Sequence, residues 1–391
     1  MTAVNVRDYG AVGDGKADDS PAVQAALDAG ASVVSVPEGI YRLVAGLKIG
    51  SDTVLQCGDG VHFVFDGDTP RTAADFMLSN KDMAGGNRNI TIIGGSWDRQ
   101  NTAPGTQRSK DLFDTESYSG NTMRFVNVQG LRIEDVGILN AQSHGIAFSD
   151  VDGFSIRRIS FSSRQETPNQ DGIHFGGNVK NGLVEFISAS GKQTNDDLIA
   201  LNADDCNWRN ENNGLSCGDI ENVVIQHIHA EDCWSFIRMA TCKHSAIRNI
   251  SIRDVTGGCR RYAVNMDALR YCRTPLFREE DEPDGVGWIE NVELRDMVVH
   301  KTDSANTEPL VVGESRLHEF RMKNFLRNRL DDCSPTAPLA VFKNLSNTCI
   351  VYDDLDDRHA VRLQTKQDQL LIPGYFMDLR AVRLRVRIKE N

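Results

Sequence analysis

The sequence predicts an all-β fold: a single-stranded parallel β-helix, a solenoid closed at its N-terminal end by a short helix. Two repeats predict it. The first is a set of five six-residue windows: SHGIAF (143–148), QDGIHF (170–175), DDLIAL (196–201), WSFIRM (234–239) and RYAVNM (261–266). In each, the fourth and sixth residues are apolar: Ile146 and Phe148, Ile173 and Phe175, Ile199 and Leu201, Ile237 and Met239, Val264 and Met266. The fifth varies freely, which is the period-two signature of a strand with one buried face. The second repeat reads apolar-x-[Asn/Gly]-apolar-x-apolar-x-x-apolar and fits 128–136, 151–159, 220–228, 247–255 and 289–297. Its starts at 128 and 151 are 23 apart, and those at 220 and 247 are 27 apart. Short strands at that interval, with no helical pattern between them, suit a parallel β-helix.

Taken in order, the chain opens with Gly-Asp-Gly and Asp-Asp punctuating a loop over 13–19. Ser20 is the expected N-cap, Pro21 fits the first helical position and Gly30 ends the helix. Val23, Ala26 and Leu27 form one apolar stripe, suited to covering the open end of a solenoid. Val33–Val36 is a strand, Pro37-Glu38-Gly39 a turn, and short strands continue through Gln56. The second repeat begins near residue 87, with 89–95 a partial copy and 179–187 carrying Gly182 at an apolar position. The long interval from 179 to 220 holds an insert, ADDCNWRNENNGLSCG (203–218), and such inserts usually line one face of a solenoid. After Lys301, the segments 315–326, the strand after Cys349 and that near Val361 are further coils or a C-terminal cap. The ending alternates Val382, Leu384, Val386 and Ile388 with Arg383, Arg385, Arg387 and Lys389, a strand whose charged face protects an edge. The expected organisation is one domain over 1–391, with 1–50 the cap and first coils, 87–300 the central coils, and 301–391 the last coils.

Composition sets outer limits. Forty per cent hydrophobic and 25% charged residues are ordinary for a globular chain. A net charge of −12 argues against nucleic acid and anionic membrane as partners. No stretch approaches the roughly 18 apolar residues of a membrane span. The opening MTAVNVRDYG has no basic or apolar leader region, so a cytoplasmic location is expected, with secretion after signal removal the alternative. The nine cysteines form no CxxC, so reduced, mostly buried thiols are expected rather than a zinc site or disulfide framework.

The chemistry gathers in two adjacent windows. Neighbouring strands lie about 4.8 Å apart, so equivalent positions form ladders. Asp171 and Asp197 share a ladder position and Asp196 adjoins Asp197. Crowded carboxylates raise at least one pKa, and one protonated plus one ionised carboxyl is what glycoside hydrolysis needs. The plain alternative is an acidic turn, with or without a calcium ion. His174 stands on the outward ladder beside Asp171, and Arg238 on the same ladder two coils later, giving a mixed acid, base and cation patch. Further candidate substrate contacts are His144, Asn169, Asn202, Ser235, Asn265 and Asp267. Trp208 in the insert is a candidate stacking platform for a pyranose.

VRDYGAVGDGKADDSPAVQAAL and the following VPEGIY resemble the N-terminus of the pectate-lyase-like β-helix superfamily. NQDG (169–172) and NDDLIAL (195–201) resemble the two aspartate motifs of glycoside hydrolase family 28, the polygalacturonase family. The resemblance covers most of 4–300. It implies a right-handed parallel β-helix and inverting hydrolysis by three aspartates without a metal or cofactor. Asp196 would be the general acid, with Asp171 and Asp197 activating water. The family's Gly-His-Gly motif is replaced by Trp234-Ser235-Phe236 and its Arg-Ile-Lys motif by Asn265-Met266-Asp267; Arg387-Ile388-Lys389 lies many coils too late. The expected function is a glycoside hydrolase acting on a plant or microbial polysaccharide or oligosaccharide. The alternatives are a lyase or epimerase, with His174 or Arg238 abstracting a proton beside a uronate carboxylate and calcium on the aspartates, and a non-catalytic carbohydrate-binding or phage-spike-like solenoid.

Overall fold

Like strands of successive coils pair in parallel, and the window strands show why. Ile146 pairs with Ile173, Ile173 with Ile199, Ile199 with Ile237, and Ile237 with Val264. All five side chains are 0% exposed, so one inner row is built from one repeated position. The row runs further in both directions, through Leu47, Leu78 and Met123 before it and Val311 and Ala340 after it. The computed structural model describes residues 2–66, 75–101, 120–167, 169–203, 214–241, 245–266 and 286–343, and strands at 350–353, 361–364, 369–372 and 385–387.

The second repeat forms a second parallel sheet, in which Ile133, Ile156, Val184, Ile225, Ile252 and Leu294 stack inward. Its Asn/Gly position has a backbone cause. Asn89, Asn181, Asn222, Asn249 and Asn291 all have φ between 51° and 61°, and Gly130 and Gly153 occupy the same position at 78° and 75°. Asn and Gly tolerate this left-handed region best. The asparagines also bond along the axis: Asn222 Nδ2 donates to Asn181 Oδ1 (3.2 Å), Asn249 to Asn222 (3.0 Å) and Asn291 to Asn249 (2.8 Å). A shorter third sheet completes the coil, with Ser96–Asp98 paired to Gly137–Leu139 and that strand to Ser160–Ser162. The inner rows of all three merge into one apolar core from Val6 to Phe342.

Gly182 interrupts the apolar repeat for a reason of space. It stands between Phe154 and Val223 on one inner row. An added Cβ would run into the Phe154 ring, so the glycine makes room for an aromatic neighbour.

Several local expectations shift. The helix, α1, spans Ser20–Asp28, and its N-cap is Asp19 rather than Ser20. The Asp19 carboxylate instead accepts from Val12 N (2.6 Å) and Gly13 N (3.1 Å), and Ser20 Oγ accepts from Val44 N (2.8 Å) and Ala45 N (3.0 Å). These side chains fasten the helix to the first coil, which costs Ser20 its capping role. Asp14–Asp18, expected as loop, is a strand paired with Gly39–Leu43. Beyond Lys301 the chain continues as coils: Ser315–Arg327 pairs in parallel with the preceding strand, and Phe320–Lys323 with Ile350–Asp353. Of the alternating C-terminal segment, Arg385–Arg387 is described, paired in parallel with Val351–Asp353. Cys217, in the insert, is disulfide-bonded, against the expectation of reduced thiols; Cys57, Cys233 and Cys259 are buried free thiols.

Candidate active site

The second residue of each window falls at one corner of the coil, giving the row His144, Asp171, Asp197, Ser235 and Tyr262. The fifth residues give an outward row beside it: Ala147, His174, Ala200, Arg238 and Asn265. Strict alternation would turn Asp171 inward with Ile173. A tight corner prevents this. The chain passes so close to the next coil at Gly172 that a Cβ there would collide with the Leu198 carbonyl, and one at Gly145 with the Gly172 carbonyl. The corner residues are thereby turned toward the outward row.

Asp171 is 4% exposed, and its Oδ2 accepts a 2.6 Å hydrogen bond from His174 Nδ1. The same oxygen lies 3.6 Å from His144 Nε2. The two imidazoles stack, with centroids 3.8 Å apart and planes 5° from parallel. With Asp171 ionised, the proton of the short bond sits on His174 Nδ1.

Asp197 is buried, with Arg238 Nη1 3.7 Å from its Oδ2. Burial pushes its carboxyl well above the ordinary range and the charge on Asp196 adds to this; Arg238 opposes, Asp171 raises it further, and the Ser235 hydroxyl opposes. The resemblance makes Asp196 the general acid, and crowding leaves open which carboxyl is raised. Asp197 is the one enclosed by protein, whereas Asp196 is half-buried at the surface of the cluster. One oxygen from each of Asp171, Asp196 and Asp197 lies within 4.8 Å of the others.

The raised carboxyl makes a stability prediction. A folded-state pKa above the unfolded value means stability is fully present below the ordinary carboxyl value of 3.8 and is lost as pH rises through the raised value. Asp197→Asn removes that loss. The variant is expected to gain stability over the wild type as pH rises from about 4 to 8, with no gain below 3.8. Urea unfolding at both ends of the range measures it. Equal stability at neutral pH would mean that Asp197 ionises there without cost.

Two donor groups could hold a cation: His144, Asp171 and His174, or Asp171, Asp196 and Asp197. The first fits poorly. Imidazole binds metals in its own plane, and an ion shared by two parallel rings 3.8 Å apart lies well outside both planes. The second is an all-oxygen set of the kind calcium accepts.

Of the other candidates, Ser235 and Arg238 surround Asp197, and Asn265 is the next outward rung after Arg238. Asn169 is half-buried two residues before Asp171. Asn202 closes the far end of the Asp197 strand, roughly 16 Å along it, and is not beside the carboxylates. Trp208 and Asp267 lie outside the described residues.

Sequence reasoning missed Arg124 and Asn121. Arg124 precedes Ala147 on the outward row, is buried, and donates to Asn121 Oδ1 at 2.6 Å. Burial lowers its pKa to about 9, which leaves it charged at neutral pH. The signal was present: GNTMRF (120–125) fits the window pattern one coil before the first window.

A family model described as "Rhamnogalacturonase A/epimerase, pectate lyase-like" matches residues 3–260, more than half of the chain. The phage-related protein YobO of Bacillus subtilis is 35% identical over 145 residues, 37% of this chain and 17% of that protein. Mannuronan C5-epimerase AlgE1 of Azotobacter vinelandii is 45% identical over 67 residues, 16% of this chain and 5% of that protein. The matches thus span less than a fifth of either relative. Among solved structures, the family 28 exopolygalacturonase of Yersinia enterocolitica superposes with a TM-score of 0.54 at 13% identity, covering 98% of this chain and 78% of that one. At that identity the likeness shows the shared parallel β-helix alone.

Proposed function

The chain belongs to the rhamnogalacturonase A/epimerase, pectate lyase-like family, whose fold serves hydrolases, epimerases and lyases, and from that premise we propose that it is a glycoside hydrolase acting on an acidic polysaccharide or oligosaccharide. The observation that carries this reading is the carboxylate cluster, with three oxygens inside 4.8 Å and one member, Asp197, raised by burial. The raised Asp197 carboxyl holds a proton beside the half-buried Asp196, the one placed to pass it to the leaving oxygen. Asp171, held by His174, and Asp197 then orient and activate the water. The nearest oxygens approach more closely than the roughly 6.5–9.5 Å between carboxyls of an inverting pair. In this reading the water sits beside the cluster rather than between two of its members, and no metal takes part.

The outward row supports an acidic substrate. In a chain of net charge −12 it has no carboxylate from Lys48 to Val312. Basic side chains take alternate rungs, Lys48, Arg124, His174 and Arg238, with Ser79, Ala147 and Ala200 between them. Their spacing is two strand separations, about 9.6 Å. Anionic groups repeating along one side of a glycan match such a row.

The short His174–Asp171 bond favours a second reading, proton abstraction by His174 next to a uronate carboxylate, as in a lyase or epimerase, with calcium on the three carboxylates. Incubation with acidic and neutral polysaccharides separates the readings. New reducing ends from the acidic substrates without an ultraviolet-absorbing unsaturated product are expected. An unsaturated product, or epimerisation without cleavage, would replace the hydrolase by the second reading. Binding without any turnover would reduce the site to a recognition surface.

A further inference from the structure

We propose that Arg260 is a positioning residue, a clasp that sets the distance between the loop carrying Asp171 and the loop carrying Asp196 and Asp197. The inference rests on those carboxylates being the working groups.

Strand pairing fixes the window strands and reaches the aspartates themselves, since Gly172 N donates to Asp197 O at 3.0 Å, but the segments that lead into them are irregular. Side chains hold those segments here. Arg260 Nη1 donates to Glu166 Oε1 at 2.7 Å, five residues before Asp171. Its Nη2 donates to Thr194 O at 3.1 Å and Lys192 O at 3.3 Å, just before Asp196. Its Nε lies 3.6 Å from Asp232 Oδ1, and its guanidinium carbon 5.6 Å from the centre of the Trp234 ring. One buried guanidinium thus ties its own coil to segments of the three before it. A planar fork with five N–H donors can serve three directions at once, which an ammonium cannot. Direct ties between the loops also exist: Asn195 Nδ2 donates to Thr167 O at 3.1 Å and Gly172 N to Asp197 O at 3.0 Å. Arg260 also differs from the basic residues of the outward row, because its partners are loop carbonyls and carboxylates outside the catalytic cluster.

The positioning role predicts more than lost stability. If the loops drift apart, the Asp171 carboxyl separates from those of Asp196 and Asp197. The charge-conserving Arg260→Lys isolates geometry from charge. It is expected to lower kcat by about tenfold to a hundredfold with KM within about threefold, the cost of a small misplacement of reacting groups. A crystal structure of the variant is expected to show the Asp171 oxygen moved beyond the 4.8 Å that encloses all three carboxylates. Glu166→Gln removes one charged partner of the clasp while leaving Arg260 in place, and should give smaller shifts of the same sign. A lower melting temperature with the carboxyl spacing and kcat unchanged would overturn the proposal and leave Arg260 as a structural tie. If the wild type turned over no glycan, the hydrolase reading would fail, while the carboxyl spacing in the variant's crystal structure would still decide whether Arg260 sets it.

Discussion

Asp196→Asn is expected to lose roughly 10²–10⁴-fold in kcat on any glycan the wild type cleaves, with KM little changed. The amide has nearly the shape of the carboxyl but cannot deliver a proton to the leaving oxygen. Asp196 is half-buried at the surface of the cluster, so the exchange disturbs little packing, and it removes a charge that crowds Asp197. Folding should therefore be intact, and binding of intact substrate near wild type, which separates lost chemistry from lost structure. Asp171→Asn should be similarly poor, since it also weakens the bond that orients His174. Rates by reducing-end assay and the anomeric configuration of the first product by NMR complete the experiment. Full activity in Asp196→Asn would move the acid elsewhere, with Asp197 the nearest heir. A product of retained configuration would replace water attack by a carboxylate nucleophile.

Gly182→Val should destabilise the chain by about 1–3 kcal/mol, although valine is what the repeat asks for at that position. Backbone strain is not the cause, since Gly182 lies outside the left-handed region. The cause is the Phe154 ring, which fills the space a Cβ would need. Phe154 is itself buried and packs on Phe148 (centroids 5.2 Å) and Phe175 (5.6 Å), so it cannot swing away cheaply. Phe154→Leu alone leaves a void and is also expected to cost stability. Together the two changes restore an aliphatic row, and a double-mutant cycle should return a favourable coupling of about 0.5–3 kcal/mol. Urea unfolding of the four proteins measures it. Additive losses would mean that the glycine serves something other than room for the ring.

Much of the architecture was legible because a solenoid repeats its physics. One buried face per strand, renewed every coil, writes a period of two inside a period of some 25 residues, and the inner rows from Ile146 to Val264 followed directly. The left-handed corner of the second repeat was legible too, because Asn and Gly advertise that backbone. The other left-handed corner was legible only in part. Asp135, Asp254 and Asp296 are of a type that tolerates it, but Arg158 and Phe186 hold φ of 54° and 57° with nothing in their side chains to announce it. There the coil imposes the conformation and the residues comply.

The candidate site divides the same way. By itself the sequence determined that Asp171, Asp196 and Asp197 belong to neighbouring rungs, because ladder position follows from repeat alignment. It also determined that His174 and Arg238 share the row beside them. Only the tertiary structure decided that Asp171 faces outward against the alternation, since the tight passage of the chain at Gly172 turns the corner there. Only it stacked His144 on His174, enclosed Asp197 rather than Asp196, and brought Arg260 across 94 residues to Glu166. Burial, ring stacking and loop closure depend on where separate coils meet in space, and a residue's type and spacing carry no record of that.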